Sequence, residues 1–173
     1  MIHPFMKVLT FSNKNKFACL HSLPHLLIAG ATGSGKSVFS NSLIITLLLT
    51  VHPSELRMIL IDPKGNEMIQ YKDIPHVDVI AEEIEESIEV LESLCIEMDK
   101  RYKMMAEIGV RNIRQYNDKA KEKMPFIVCL IDEYADLMAT NKEVEKSVIR
   151  ISQKARAAGI HLIVATQKQL QML

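Results

Sequence analysis

The sequence predicts an α/β domain in which a mainly parallel central sheet is flanked by helices. Three observations carry that expectation. Short, continuously apolar runs alternate with longer amphipathic segments. The first three runs end on Gly or Asp, turn signals that bound strands buried on both faces. The chain has 173 residues of which 48% are hydrophobic, enough for one core and with no polar tract to serve as a linker. Strands that alternate with helices in this way build parallel sheets with right-handed crossovers, and such sheets bind ligands beyond the carboxyl ends of their strands.

The elements follow in order. Phe5 to Phe11, FMKVLTF, alternates enough to form a strand. His25 to Gly30, HLLIAG, is the first buried strand. A helix is expected from Gly35 to about Val51, where Val38, Leu43, Ile44, Leu47 and Leu48 recur at helical spacing and Pro53 stops the pattern. Leu56 to Asp62, LRMILID, is the second strand, closed by Pro63 and Gly65. A long helix runs from Glu82 to about Ile108 on an apolar stripe that includes Ile84, Ile88, Leu91, Cys95 and Met98. Its glutamates lie early and Lys100, Arg101 and Lys103 late, a polarity that complements the helix dipole. Pro125 to Asp132 is the third strand, Lys142 to Ala158 a further helix, and Gly159 to Ala165 the fourth strand.

Charge and cysteine usage exclude several classes. Lys plus Arg number 21 and so do Asp plus Glu, which rules out a uniformly basic, histone-like binder and leaves room for a local basic patch. A transmembrane helix needs about 20 consecutive apolar residues. The longest candidate, Leu43 to Val51, falls far short and contains Thr46 and Thr50. The N-terminal MIHPFMKVLTFSNKNK is too polar for a secretory signal, so the expected location is cytoplasmic, with any membrane attachment made through parts outside this chain. Cys19, Cys95 and Cys129 form no CxxC pair and read as buried reduced thiols. His25, His76 and His161 border apolar or Pro-rich segments and read as structural.

The strand ends carry the chemistry. Gly30-Ala31-Thr32-Gly33-Ser34-Gly35-Lys36-Ser37 matches GxxxxGK[ST], the P-loop pattern, and sits between a strand and a helix as that motif requires. Backbone N–H groups of Gly30 through Val38, brought close by small residues, would cradle phosphates. Lys36 would reach the terminal phosphates and Ser37 would ligate Mg²⁺. Asp132, at the end of the third strand, is a second Mg²⁺ anchor, and the adjacent Glu133 can polarise an attacking water. A small-molecule kinase must exclude water, so the adjacent acids favour hydrolysis. Gln167, after the fourth strand, would sense the γ-phosphate if that strand lies between the first and third.

These residues, together with ILIDPKGNEMIQY, IPHV, EMDKRYKMMAEIGVRNIRQYN, IDEYADLM and KARAAGIHLIVATQ, give a sequence that resembles the motor domain of the FtsK/SpoIIIE family from Leu23 to Gln167. Members of that family are hexameric RecA-like ATPases that pump double-stranded DNA. The resemblance implies a three-layer P-loop NTPase fold, ATP and Mg²⁺ as ligands, Glu133 as catalytic base and Gln167 as sensor. Arg156 resembles the arginine finger of related coupling ATPases, or is a surface charge at a helix end. The loop from Met138 to Glu143 would face the DNA in the pore, with Lys142 as its only base. Asp62, Lys64, Glu67, Arg111 and Arg114 match the family without a firm role and could order the subunit interface.

The match stops after ATQ, and residues 1–22 resemble the family poorly. The expected organisation is a divergent segment over 1–22 and an ATPase core over 23–173 that lacks the family's C-terminal strands and winged-helix module. The first buried strand would then be a sheet edge, which Phe5 to Phe11 could cover. Three functions are expected: a double-stranded DNA translocase in chromosome segregation or mobile-element transfer, a conjugation or secretion motor, or a truncated ATP-binding remnant.

Overall fold

The structure, a computed structural model, describes residues 5–9, 15–19, 25–65 and 67–167, the first two stretches by backbone alone. Strands β1 (Phe5–Leu9) and β2 (Asn15–Cys19) pair antiparallel in a sheet of their own. Each apolar run then forms a strand: β3 (His25–Ala29), β4 (Leu56–Ile61), β6 (Phe126–Ile131) and β7 (Ile160–Thr166), with β5 (Val77–Ala81) between β4 and β6 in the chain. They form one sheet in the order β3-β7-β6-β4-β5, and every neighbouring pair is parallel.

Side chains alternate across a strand, so a run with a core on both faces must be apolar throughout. In β6, Ile127, Cys129 and Ile131 enter one core while Val128 and Leu130 enter the other. The first core is roofed by helices α2 (Ile84–Glu107), α3 (Ile113–Lys119), α4 (Tyr134–Thr140) and α5 (Lys142–Lys154). The second is roofed by α1 (Lys36–Thr50) through Leu43, Ile44 and Leu47. Three layers result, as expected. Full burial of each such Leu or Ile contributes about 1.5–3 kcal/mol, and this sets the sheet's register.

Several expectations are corrected. Phe5–Leu9 pairs with β2 and not with β3, because the hairpin partner is close in sequence, so among the described residues β3 is an edge strand with Leu27 48% exposed. Val38 is 73% exposed and belongs to no core. The α5 helix ends at Lys154, and Ala155 to Gly159 form a closing turn in which the Ile160 N–H donates to the Ala155 carbonyl. Gly159 (φ 74°) supplies the left-handed residue, and a Cβ there would lie 2.5 Å from Ile113 Cδ1. The segment Met138 to Glu143 is no loop: Asn141 alone separates α4 from α5, and its side chain accepts the Glu143 N–H.

Arg101 is the largest departure from the sequence pattern. It lies well before the end of α2, where the helix dipole has little hold, and its side chain is buried. Its guanidinium donates to Glu97 Oε1 (2.9 Å), the Pro125 carbonyl (2.8 Å) and the Ala158 carbonyl (3.0 Å). It thereby ties α2 to the start of β6 and to the turn before β7. Burial lowers its pKa, and the Glu97 carboxylate opposes that shift. Burial also pushes the Cys129 thiol up to about 12, which fits a structural thiol; Cys95 is buried too, while the Cys19 side chain lies outside the described residues. His76 Nε2 meets the Val51 carbonyl at 2.7 Å and His161 stacks on Phe126, so both serve the core.

Two outcomes follow from buried polar groups. Arg101→Ala should cost about 3 kcal/mol in urea unfolding, because two carbonyls and a carboxylate lose their donor. His25 Nδ1 accepts the Leu162 N–H at 3.1 Å, and burial, with Arg156 adding to it, lowers the His25 pKa. The folded state therefore favours the neutral ring and the unfolded chain protonates first. Stability should fall as pH drops below the ordinary 6.5 and level off below the depressed folded value. Urea midpoints measured from about pH 8 to about pH 5 should show a shallower dependence in His25→Asn.

Candidate nucleotide and hydrolysis site

The carboxyl ends of β3, β7 and β6 are adjacent, and three polar segments meet there. After β3 the chain turns through Gly33 (φ 78°) and Gly35 (φ 90°), conformations a side chain would strain. The turn is closed by Ser34 N–H to the Ala31 carbonyl (3.0 Å) and tethered by Gly30 N–H to the Thr166 carbonyl (3.2 Å). The helix α1 that follows has no side-chain cap and no acidic residue in its first turn. Its first N–H groups and its positive dipole end are thus left for an anion.

Lys36 and the end of β6 form the centre of the site. Lys36 Nζ lies 2.5 Å from Asp132 Oδ1 and 3.6 Å from Glu133 Oε2, with the three side chains 6–12% exposed. At this burial a charge is tolerated only when paired, so the ammonium and the two carboxylates hold one another in place. Glu133 is in the left-handed region (φ 52°), which aims its carboxylate back over the sheet end. Its Oε1 accepts the Gln167 N–H at 3.2 Å, and the Gln167 Oε1 accepts the Thr32 hydroxyl at 3.0 Å. The strand β7 does lie between β3 and β6, the condition on which the sensor position of Gln167 depended. The Thr32 contact was invisible in the sequence, since the two residues are joined only through the sheet order.

Other expected residues lie elsewhere. Arg156 is exposed in the turn before β7, at the opposite end of the sheet from the P-loop. Arg111 and Arg114 flank the start of α3, which packs by Ile113 N–H on the Ala157 carbonyl at that same far end. Lys142 is exposed at the first turn of α5. Asp62 is buried, and its carboxylate accepts the N–H groups of Lys64, Glu67 and Met68, so it shapes the loop after β4.

The residues present fit a nucleoside triphosphate with Mg²⁺. Asp132 already balances a positive charge, that of Lys36, and α1 offers an uncapped N-terminus beside it. The fold and the site together define a P-loop ATPase-type domain. The FtsK/SpoIIIE family profile matches residues 6–170, so the chain belongs to that family. The DNA translocase FtsK of Campylobacter jejuni is 50% identical over 155 residues, 86% of this chain and 16% of that protein. The DNA translocase FtsK of Corynebacterium glutamicum is 46% identical over 165 residues, 86% of this chain and 18% of that one. This chain thus spans less than a fifth of these two relatives. Among solved structures, the pCW3 conjugation coupling protein TcpA, in a monomer form with ATPγS, superposes at TM-score 0.83 with 29% identity, covering 96% of this chain and 49% of that one. The cytoplasmic domain of EssC shares the fold at TM-score 0.87 with 21% identity, covering 99% of this chain and 34% of that one.

Lys36→Ala should weaken binding of a fluorescent ATP analogue about 100-fold, or ~3 kcal/mol, the upper range for a charge-assisted hydrogen bond. Far-ultraviolet circular dichroism should be unchanged.

Proposed function

We propose that this chain is the ATP-binding and ATP-hydrolysing motor core of a double-stranded DNA translocase that works as a homo-hexamer in chromosome segregation or mobile-element transfer. The observation that carries the reading is Glu133, a carboxylate held beside Asp132 and Lys36 by a left-handed backbone and by the Gln167 N–H. Lys36 and the N–H groups of residues 30 to 38 would hold the phosphates. Ser37 and Asp132 would hold Mg²⁺, which when bound neutralises charge on the phosphate oxygens. Glu133 orients a water and takes up its proton at a carboxylate oxygen, and Gln167, tied to Thr32, reports on the space between P-loop and base.

Arg156 is exposed and far from its own P-loop, so it can serve as a finger only toward a neighbouring subunit's nucleotide. Lys142, at the α4–α5 joint, is the residue assigned to the DNA backbone, repeated around the ring. The relatives' names support DNA as the substrate. The likeness to TcpA, at 29% identity, favours the conjugation form of the second reading, a conjugation or secretion motor. Among the described residues no helix is long and apolar enough to cross a membrane, and the motor is assigned to the cytoplasmic side.

ATP turnover measured with and without long duplex DNA, alongside particle mass, tests the reading. Turnover should rise with DNA in a ring-sized species and fall by about 10²–10⁴ in Glu133→Gln, the usual contribution of a general base. A monomer that binds ATP tightly without turnover would leave the ATP-binding remnant as the correct description.

A further inference from the structure

The hydrolysis site has a second cation that the reading above does not use. Lys64 follows β4, next to β6 in the sheet, and its Nζ lies 2.9 Å from Asp136 Oδ2 in the first turn of α4. Its backbone is not free to wander. The buried Asp62 carboxylate accepts the Lys64 N–H at 3.3 Å and the Glu67 N–H at 2.7 Å, and Gly65 N–H donates to the Asp62 carbonyl at 2.9 Å. Burying a carboxylate is costly, and here its lone pairs are spent on fixing a loop that aims Lys64 at α4. The hydrogen bond to Asp136, and the fields of Asp136, Glu133 and Asp132, raise the Lys64 pKa.

What it meets there needs support. Glu133 holds a left-handed conformation that persists in a non-glycine residue only where neighbours determine it. Asp136 is one of those neighbours, since its N–H donates to the Glu133 carbonyl at 3.0 Å. Asp132, Glu133 and Asp136 gather three carboxylates against two lysines, Lys36 from the P-loop side and Lys64 from the β4 side. A phosphate that engages Lys36 competes with Asp132 and Glu133 for it. Lys64, paired with Asp136 and not with those two acids, keeps its hold on the first turn of α4 when that happens.

We propose that Lys64 is a positioning residue of the hydrolysis site: through Asp136 it holds the first turn of α4, and with it the left-handed backbone that aims the Glu133 carboxylate. The inference rests on Glu133 being the base. Its pairing partner is partly exposed, so its contribution is to geometry more than to global stability.

The test compares wild type, Lys64→Ala, Lys64→Arg and the charge swap Lys64→Asp with Asp136→Lys, by ATP turnover and by amide hydrogen exchange of residues 133 to 140. Lys64→Ala should lower kcat about tenfold with KM for ATP within about twofold, as expected when a reacting group is misplaced and the phosphate contacts are kept. Exchange in that segment should quicken about threefold, the range of an exposed ion pair, with α1 unaffected. Lys64→Arg and the charge swap should each recover part of the loss in kcat. An unchanged kcat, an unchanged exchange rate, or a rise in KM that matches the fall in affinity would overturn the inference, the last by making Lys64 a nucleotide contact. A wild-type protein with no turnover would instead overturn the ATPase reading, and exchange alone would then decide whether Lys64 holds α4.

Discussion

The pairing of Lys36 with Asp132 and Glu133 constrains everything around it. Three charged groups with so little exposure are stable only together, because each desolvated ion costs several kcal/mol without its partners. Lys36 opens α1 and the acids close β6, so the pairing requires the ends of β3 and β6 to stand one strand apart. The parallel sheet meets that requirement by inserting β7 between them. The β7 strand in turn delivers Gln167 to both Thr32 and Glu133, which links the P-loop to the acid after β6 through one residue. The phosphate binding and hydrolysis proposed for this site would therefore both depend on one sheet order.

Two other buried charges play a supporting part at some distance. Asp62 organises the loop after β4 by accepting backbone N–H groups, and Arg101 organises the far end of the sheet by donating to backbone carbonyls. Both are polar groups spent on backbone geometry. One fixes the end that carries the P-loop and Asp132 and the other the end where α2, β6 and β7 converge, so the strands between are clamped at both ends.

The buried strands and the P-loop could be read from sequence because each leaves a local signature: continuous apolarity for a strand with two covered faces, and glycines in fixed spacing for a phosphate loop. The Asp132–Glu133 site was readable for the same reason, as a polar break at the end of such a run. What escaped was either short or non-local. The strand β5 lies at the sheet edge, and Asp78 and Val79 are exposed, so it lacks the continuous apolar signature. The α3 and α4 helices have seven residues each, too few for periodicity to show. Arg101 read as one of the charges complementing the helix dipole because charge patterning does not reveal what covers a side chain. The pairing of β1 with β2 was missed because alternation marks a strand without naming its partner.

The single residue between α4 and α5 sets a mechanical gearing. The α4 helix starts just after Glu133 and has seven residues, and at a rise of ~1.5 Å per residue it is an arm of about 10 Å. Turning that arm by ~10° about Glu133 carries its far end by about 2 Å, and Asn141, with its side chain locked onto Glu143, offers little slack before Lys142. A lever this short converts rearrangement at the acid into small displacements at the surface. In the ring proposed for this chain, such subunits would advance their load in fine increments shared among them, with little travel asked of any one.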